Sequence, residues 1–299
     1  MTSFDIMLPF YGNVRLMQDA VRSVLAQDHP DFRLTVIDDG DAAEVPEWFA
    51  GITGADSRVR YLRNAQNIGI TRNFQKCVDL SEADHVVIMG CDDLMKPDYL
   101  STVRAILADL PDVGMIQPGV EVIDETGTVR SGLADRAKHL LYSPATPGRT
   151  VMGGEALAAG LLRGNWLYFP SVCWRGEALR AVNFRSEYSV IQDLALVIDL
   201  LERGEELVVD TAGPVFQYRR HSVSESSLQA FSGTRFTEAA RYFAAVADRM
   251  DARGWPKAAR AARIHSASRL HALTMIPGAV RQGNRDGARV LARHAFTPM

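Results

Sequence analysis

The stretch His85-Val86-Val87-Ile88-Met89-Gly90-Cys91-Asp92-Asp93-Leu94-Met95-Lys96-Pro97 decides the fold. Its opening apolar run, closed by a glycine, reads as a strand buried on both faces. The run stops on two adjacent carboxylates. Outward from it the same alternation recurs: Phe4–Pro9, Leu34–Ile37 and Val59–Leu62 read as buried strands, while Val14–Gln27 and Thr71–Leu80 carry helical spacing. Strand, helix, strand with short links predicts a largely parallel sheet covered by helices on both faces. Ligands of such sheets lie beyond the carboxyl ends of the strands. Pro9-Phe10-Tyr11, Asp38-Asp39-Gly40 and Gly90-Cys91-Asp92-Asp93 all fall at those ends.

Beyond Pro97 the pattern predicts a helix to Leu110, a strand pair around Gly114–Ile123 with a turn at Asp124-Glu125-Thr126-Gly127, and a loop over 128–152 that crosses the site. Helices follow at Glu155–Arg163 and Asp193–Glu202, with extended segments at Ser171–Trp174, Leu207–Asp210 and Val215–Tyr218. From Arg235 onward two or three helices are expected, broken at Gly254-Trp255-Pro256 and Pro277-Gly278. The expected organisation is one α/β domain over 1–228 and a helical appendage over 229–299.

The 299 residues, 47% hydrophobic and 23% charged, suit a globular protein with a sizeable core. No apolar run approaches the ~20 residues of a membrane span, and Met1-Thr2-Ser3-Phe4-Asp5 lacks the basic start of a leader, so a cytoplasmic location is expected. Cys77, Cys91 and Cys173 are odd in number and widely spaced, which excludes a disulfide scaffold and a cysteine zinc site. The net charge of −3 hides an asymmetry: from Gln229 onward there are twelve Arg or Lys against four Asp or Glu. That segment either faces anionic material or reflects an arginine-rich composition, since only four of the 33 basic residues are lysines.

Neither GxGxxG nor GxxxxGK[ST] occurs, so glycine-based dinucleotide and P-loop sites are excluded. Acidic residues occupy the strand ends instead. Asp92-Asp93, on a turn facing outward, repel one another unless a cation is shared. A hard divalent ion held by one or two carboxylates and by substrate phosphates satisfies them. The competing role is a solvated turn or a cap for the helix after Pro97.

Taken in order, Leu8-Pro9-Phe10-Tyr11, Val36-Ile37-Asp38-Asp39-Gly40, Asn67-Ile68-Gly69 with Thr71-Arg72-Asn73, Cys91-Asp92-Asp93, Gln192-Asp193 and Tyr218-Arg219-Arg220-His221-Ser222-Val223-Ser224 resemble the inverting family-2 glycosyltransferases of GT-A fold over residues 4–228. The resemblance implies a GT-A-type domain with a mostly parallel central sheet flanked by helices. Pro9 and Tyr11 would frame a nucleotide base, Asp38 or Asp39 would accept from its N–H, and Asn67 and Arg72 would lie near the nucleotide. Asp92 would take ribose hydroxyls. Asp93 would ligate Mg²⁺ or Mn²⁺ bridging the diphosphate, with His221 reaching the metal or diphosphate and Arg219 or Arg220 the phosphate oxygens. Cys91 stands where an Asp-x-Asp motif has its first acid, and Gln192 replaces the acid before Asp193.

Sugar transfer with inversion needs a carboxylate to take the acceptor's proton on the face opposite the departing nucleotide. Asp193, at the start of an apolar helix, fits that base; it also fits a helix cap. Asn165-Trp166 reads as a sugar-pocket segment or as core, and His221 as a ligand or a surface histidine in a basic turn. The function expected is a metal-assisted, hexosyltransferase-type enzyme using a UDP- or dTDP-sugar and a saccharide, lipid-linked or small-molecule acceptor. No nucleic acid is expected, and the basic C-terminal helices offer peripheral membrane contact. A nucleotide-sugar-binding protein of the same fold without turnover is the alternative; a nucleotidyltransferase fits less well, lacking a Gly- and Lys-rich N-terminal loop.

Overall fold

The computed structural model describes residues 2–130, 148–221 and 234–297. Strands β1 (Phe4–Phe10), β2 (Phe32–Asp38), β3 (Val59–Arg63) and β4 (His85–Ile88) are linked by helices α1 (Val14–Leu25), α2 (Glu44–Thr53) and α3 (Ile70–Leu80). They pair in parallel in the order β3-β2-β1-β4. All seven residues of β1 are buried, as a sheet covered on both faces requires.

The second half departs from the expected parallel arrangement. Strands β5 (Leu94–Met95), β6 (Met115–Ile123), β7 (Arg149–Gly153), β8 (Cys173–Arg175) and β9 (Glu206–Arg219) extend the sheet in the order β4-β8-β6-β9-β5, with β7 on β9. β8 runs antiparallel between β4 and β6, and β5 and β7 are antiparallel to β9. The sheet is therefore mixed. β6 turns at Asp124–Gly127 as expected and, among the described residues, pairs antiparallel there only through the bridge from Ile123 to Val129, and the two segments expected at 207–210 and 215–218 join into β9. The join is a bulge: the register with β6 shifts at Gly119, where Pro214 sits opposite. A Cβ at Gly119 would collide with the Gly213 carbonyl, so glycine permits this close approach. Of the expected loop over 128–152, residues 149–153 form β7, and 131–147 lie outside the described residues.

Each sheet face carries its own core. Met17, Val21 and Val24 of α1, Val45 and Phe49 of α2, and Tyr99, Leu100 and Val103 of α4 (Tyr99–Asp109) pack on one face. The other is covered by α3, α5 (Gly154–Arg163), α6 (Gly176–Arg180), α7 (Gln192–Glu202), α8 (Thr234–Ala252) and α9 (Pro256–Ile264). Tyr242, Val246 and Met250 of α8 belong to this same core, each apolar side chain contributing about 1.5–3 kcal/mol. α10 (Ser266–Arg281) and α11 (Arg285–Phe296) enclose a small cluster with Phe236. Helix α10 runs through Pro277 without the expected break. An internal proline costs roughly 3 kcal/mol, and Ala272 and Ala279 on either side of it are buried in the cluster with Phe236 and Leu291.

Candidate active site

The loops after β1, β2 and β4 converge at one edge, tied to one another by backbone bonds: the Asp39 N–H donates to the Phe10 carbonyl at 2.8 Å and the Asn64 N–H to the Asp38 carbonyl at 2.8 Å. Asp38 is fully buried and fully used. Its Oδ2 accepts from the Tyr61 hydroxyl at 2.5 Å and from Arg63 Nε at 2.8 Å, while Oδ1 accepts from the Gly40 N–H at 2.8 Å. Asp39 organises the next loop. Its Oδ1 accepts from Asn64 Nδ2 and the Ile68 N–H, and Oδ2 from the Gly69 N–H at 2.9 Å. Gly69 has φ +82°, a left-handed conformation that glycine adopts without strain. Tyr11, Asp39, Arg63, Asn64 and Asn67 line a cleft of about 440 Å³. Tyr11, Asn67 and Arg72 are exposed at this edge, whereas Pro9 is buried in β1.

The turn after β4 is not outward-facing. Asp93 is 1% exposed, and its Oδ1 accepts from the Arg219 N–H at 2.7 Å. Burial pushes this carboxyl well above the usual carboxylate range and the Asp92 charge adds to the rise, while the Arg219 N–H and guanidinium pull it back. A Cβ at Gly90 would collide with the Asp93 carboxylate, so the chain bends beneath that group only because residue 90 is glycine. Asp92 Oδ2 lies 2.7 Å from His221 Nε2. The Arg219 guanidinium is spent on structure: Nε donates to the Asp92 carbonyl at 2.7 Å and Nη1 to the carbonyls of Asp124 and Glu125. It clamps two turns together rather than presenting its fork to a phosphate. Cys91 is half-buried, and burial pushes its thiol up to about 12, so it carries no charge beside the two aspartates.

Asp193 enters from the other half of the chain. It lies one residue inside α7, whose N-terminal flanking residue, Ile191, makes no side-chain cap. Asp193 Oδ2 accepts from Asn165 Nδ2 at 3.0 Å, and Oδ1 accepts from the Leu194 N–H at 2.7 Å. The residue keeps part of its surface, yet its carboxyl is desolvated and its proton affinity raised. The Leu194 N–H, the Arg235 charge and the Asn165 amide partly offset this. Gln192 beside it is 5% exposed with Oε1 unpartnered. Trp166 is 3% exposed within the core. Its ring faces are covered by packing, which corrects the expectation of a sugar-stacking surface.

One residue unassigned by the sequence joins the two acidic groups. Burial raises the Tyr218 phenol, and the Asp93, Asp92 and Asp193 charges all add to the rise. The phenol thus lies within reach of both charges, and its ring packs on Tyr168 at 5.2 Å. Its place next to Arg219 in β9 was visible in the sequence; that the charges of both acidic groups reach it was not. Arg235 and Glu238 of α8 also act here without a sequence signal. Arg235 acts on Asp193, and Glu238 binds the turn before α7.

A metal would find one suitable donor group. Asp93 is buried beside a second negative charge, which a cation would offset. His221 would have to exchange its Asp92 partner to join it. Among the described residues no group of three or more His, Cys, Asp or Glu is arranged to hold a metal ion, so substrate oxygens would complete the coordination.

A mixed α/β sheet with acidic turns at its strand ends, and a further desolvated acid at the start of α7, defines the class: a GT-A-type fold. The chain belongs to glycosyl transferase family 2, whose model matches residues 5–157. It is 22% identical over 190 residues to the abequosyltransferase RfbV of Salmonella typhimurium, covering 60% of this chain and 55% of that protein. An uncharacterized protein y4gI of Sinorhizobium fredii is 32% identical over 149 residues, 46% of this chain and 16% of y4gI. The matches to these and other curated relatives span from about a sixth to about half of the relatives' lengths. S. aureus TarS 1–349 in complex with UDP-GlcNAc has the same fold, GT-A, with a TM-score of 0.63 at 12% identity, covering 81% of this chain and 66% of that one.

Proposed function

We propose that this chain is an inverting glycosyltransferase that moves a sugar from a nucleotide-diphosphate donor to an acceptor hydroxyl. The observation that carries it is the pair of restrained acids from different halves of the chain, Asp93 held by the Arg219 N–H and Asp193 held by Asn165 and the Leu194 N–H, whose charges both reach Tyr218. In the transfer, a lone pair of the acceptor oxygen forms the new bond to the sugar's anomeric carbon. The bond from that carbon to the diphosphate breaks, its electron pair leaving on the β-phosphate oxygen, and the acceptor proton passes to Asp193. A general base supplies roughly two to four orders of magnitude to such a step. The raised proton affinity of Asp193 suits it to accept a proton, and Asn165 fixes the orientation of its Oδ2.

The nucleotide fits the cleft beside Tyr11, Asp39 and Asn67, with Arg72 at its exposed edge and Asp92 toward the ribose. Asp93, with His221, is assigned the divalent cation, Mg²⁺ or Mn²⁺, which when bound supplies charge neutralisation of the departing diphosphate. A uridine nucleotide is the first donor to test, because TarS was solved with UDP-GlcNAc. The acceptor side is assigned to Asn165 and Gln192.

Among the described residues no helix is long and apolar enough to cross a membrane. Peripheral contact with an anionic surface is favoured by α10 and α11: Leu270, Val280 and Phe296 are more than 60% exposed, and Arg285, Arg289 and Arg293 of α11 are exposed at four-residue spacing. UDP release from UDP-sugars by the purified protein tests the main reading. Tight UDP-sugar binding without release would replace it with a non-catalytic binding protein.

A further inference from the structure

The turn that leads into α7 has no capping side chain of its own: Ile191 occupies the flanking position. Its backbone donors are satisfied from a distant helix. Glu238 Oε1 accepts from the N–H groups of Val190 and Ile191 at 2.8 and 3.0 Å, and Oε2 accepts from the N–H and hydroxyl of Ser189, both at 3.0 Å. Four donors therefore converge on one carboxylate 47 to 49 residues away in sequence. Charge-assisted bonds of this kind are about twice as strong as neutral ones, and a negative charge there also suits the positive end of α7.

The same face of α8 grips the turn at two further points. Arg241 Nη2 donates to the Glu187 carbonyl at 3.1 Å, and Tyr242 packs edge-on against the Tyr188 ring at 5.3 Å. Arg235, one turn before Glu238, acts on the Asp193 carboxylate. Residues 235, 238, 241 and 242 share one helical face by their spacing. Among these contacts only those of Glu238 are bonds to backbone within three residues of Gln192, the first residue of α7.

We propose that Glu238 is a positioning residue for the catalytic base: by holding the Ser189–Ile191 turn it fixes the first turn of α7 and with it the aim of the Asp193 carboxylate. The proposal rests on the assignment of Asp193 as the base. It makes a helix of the C-terminal region part of the active-site apparatus. The bonds bear on orientation and leave the nucleotide cleft untouched, so the effect belongs in turnover and not in donor affinity.

The test uses the full chain carrying Glu238→Gln, Glu238→Ala, Asp193→Asn, and Asp193→Asn with Glu238→Ala. Amide hydrogen exchange over residues 189–194, UDP affinity by calorimetry, and UDP release from UDP-GlcNAc with water as acceptor are measured in Mn²⁺. Glu238→Ala is expected to speed exchange at Val190 and Ile191 and to lower kcat roughly ten- to hundredfold, the cost of a small misplacement. UDP affinity should stay within about twofold, since only turnover is touched. Glu238→Gln, which keeps one carbonyl oxygen for the two amides, should fall between. In the Asp193→Asn background Glu238→Ala should cost nothing further, because both act through one group. Unchanged exchange, or wild-type turnover in Glu238→Ala beside an inactive Asp193→Asn, overturns this proposal alone. An equal loss in both backgrounds also overturns it, since it marks a general structural role. Wild-type turnover in Asp193→Asn, or no UDP release by the wild type, removes the base assignment and this proposal with it.

Discussion

Asn165 and Asp193, 28 residues apart on either side of β8, meet through a 3.0 Å bond from the amide to the carboxylate. The bond leaves Asp193 an acceptor with one oxygen held by a side chain and the other by the Leu194 N–H. A carboxylate so restrained and so desolvated is oriented before any substrate arrives, which is what a general base requires.

Asp193→Asn should reduce transfer by roughly two to four orders of magnitude while leaving nucleotide affinity near that of the wild type. An asparagine retains the acceptor for the Leu194 N–H, so a purely structural role would be filled by either residue. Single-turnover assays at saturating donor, beside melting curves, decide it; normal turnover removes the assignment. Because burial raises the Asp193 carboxyl above its usual range, its ionised form is destabilising in the fold at neutral pH. The variant should therefore melt slightly higher than the wild type at pH 7, and the gain should vanish as pH falls and both states become protonated.

Asp93→Asn should weaken binding of nucleoside diphosphate in Mn²⁺, because a neutral amide cannot offset the charge of the ion. Calorimetric titration of UDP and dTDP in Mn²⁺ and in EDTA measures this. Equal affinity in the two buffers would rule out the metal assignment.

Gly90→Ala places a methyl against the Asp93 carboxylate. Overpacking of this kind costs about 1–3 kcal/mol, and here it displaces the turn that carries both aspartates. Lower nucleotide affinity together with a lower Tm is expected. A variant indistinguishable from wild type in both would mean that the turn does not need the bend at residue 90.

Acid should loosen the C-terminal helices. His294 is 7% exposed, with one ring nitrogen accepting from or donating to Ser268 and the other unpartnered. Burial, the neighbouring His265 and the Arg269 charge push it down to about 4 from 6.5. The folded value lies below the unfolded one, so its contribution is present above pH 6.5 and is lost as pH falls toward 4. Denaturant melts across that window should show falling stability, and His294→Phe should flatten the fall. A slope unchanged in the variant would exclude His294 as its source.

Docking of α10 and α11 on an anionic membrane should give vesicle binding that drops steeply with salt, since exposed charges are screened over about 8–10 Å at moderate ionic strength. Sedimentation with anionic and neutral vesicles separates the cases. Indifference to lipid charge would leave the arginine content as composition.

The parallel half of the sheet was legible because β1, β2 and β4 are short, mostly apolar runs followed by turn residues, Gly12, Asp38-Asp39-Gly40 and Gly90. What escaped was decided by tertiary contact. β9 looked like two strands because Thr211–Pro214 carries turn residues, yet the bulge opposite Gly119 lets one strand pass. Helix α2, with Pro46 and Gly51 inside it, shows weak local preference and forms because Val45 and Phe49 have a core to enter. At the site, the positions of the acids were readable from motif spacing, but not that Arg219 is consumed as a clamp or that Trp166 is packed away. Glu238 had no signal at all: its partners are main-chain groups, which leave no mark on side-chain pattern.

The bond from the Arg219 N–H to Asp93 joins groups 126 residues apart. On a ribosome adding ~5–20 residues per second, the aspartate turn would wait roughly 6–25 s before its partner is made. For about the first two thirds of that interval β4 also lacks β8, which ends at Arg175. The nascent chain thus carries an unfinished sheet edge until β8 is made, and the acidic turn closes only once β9 follows.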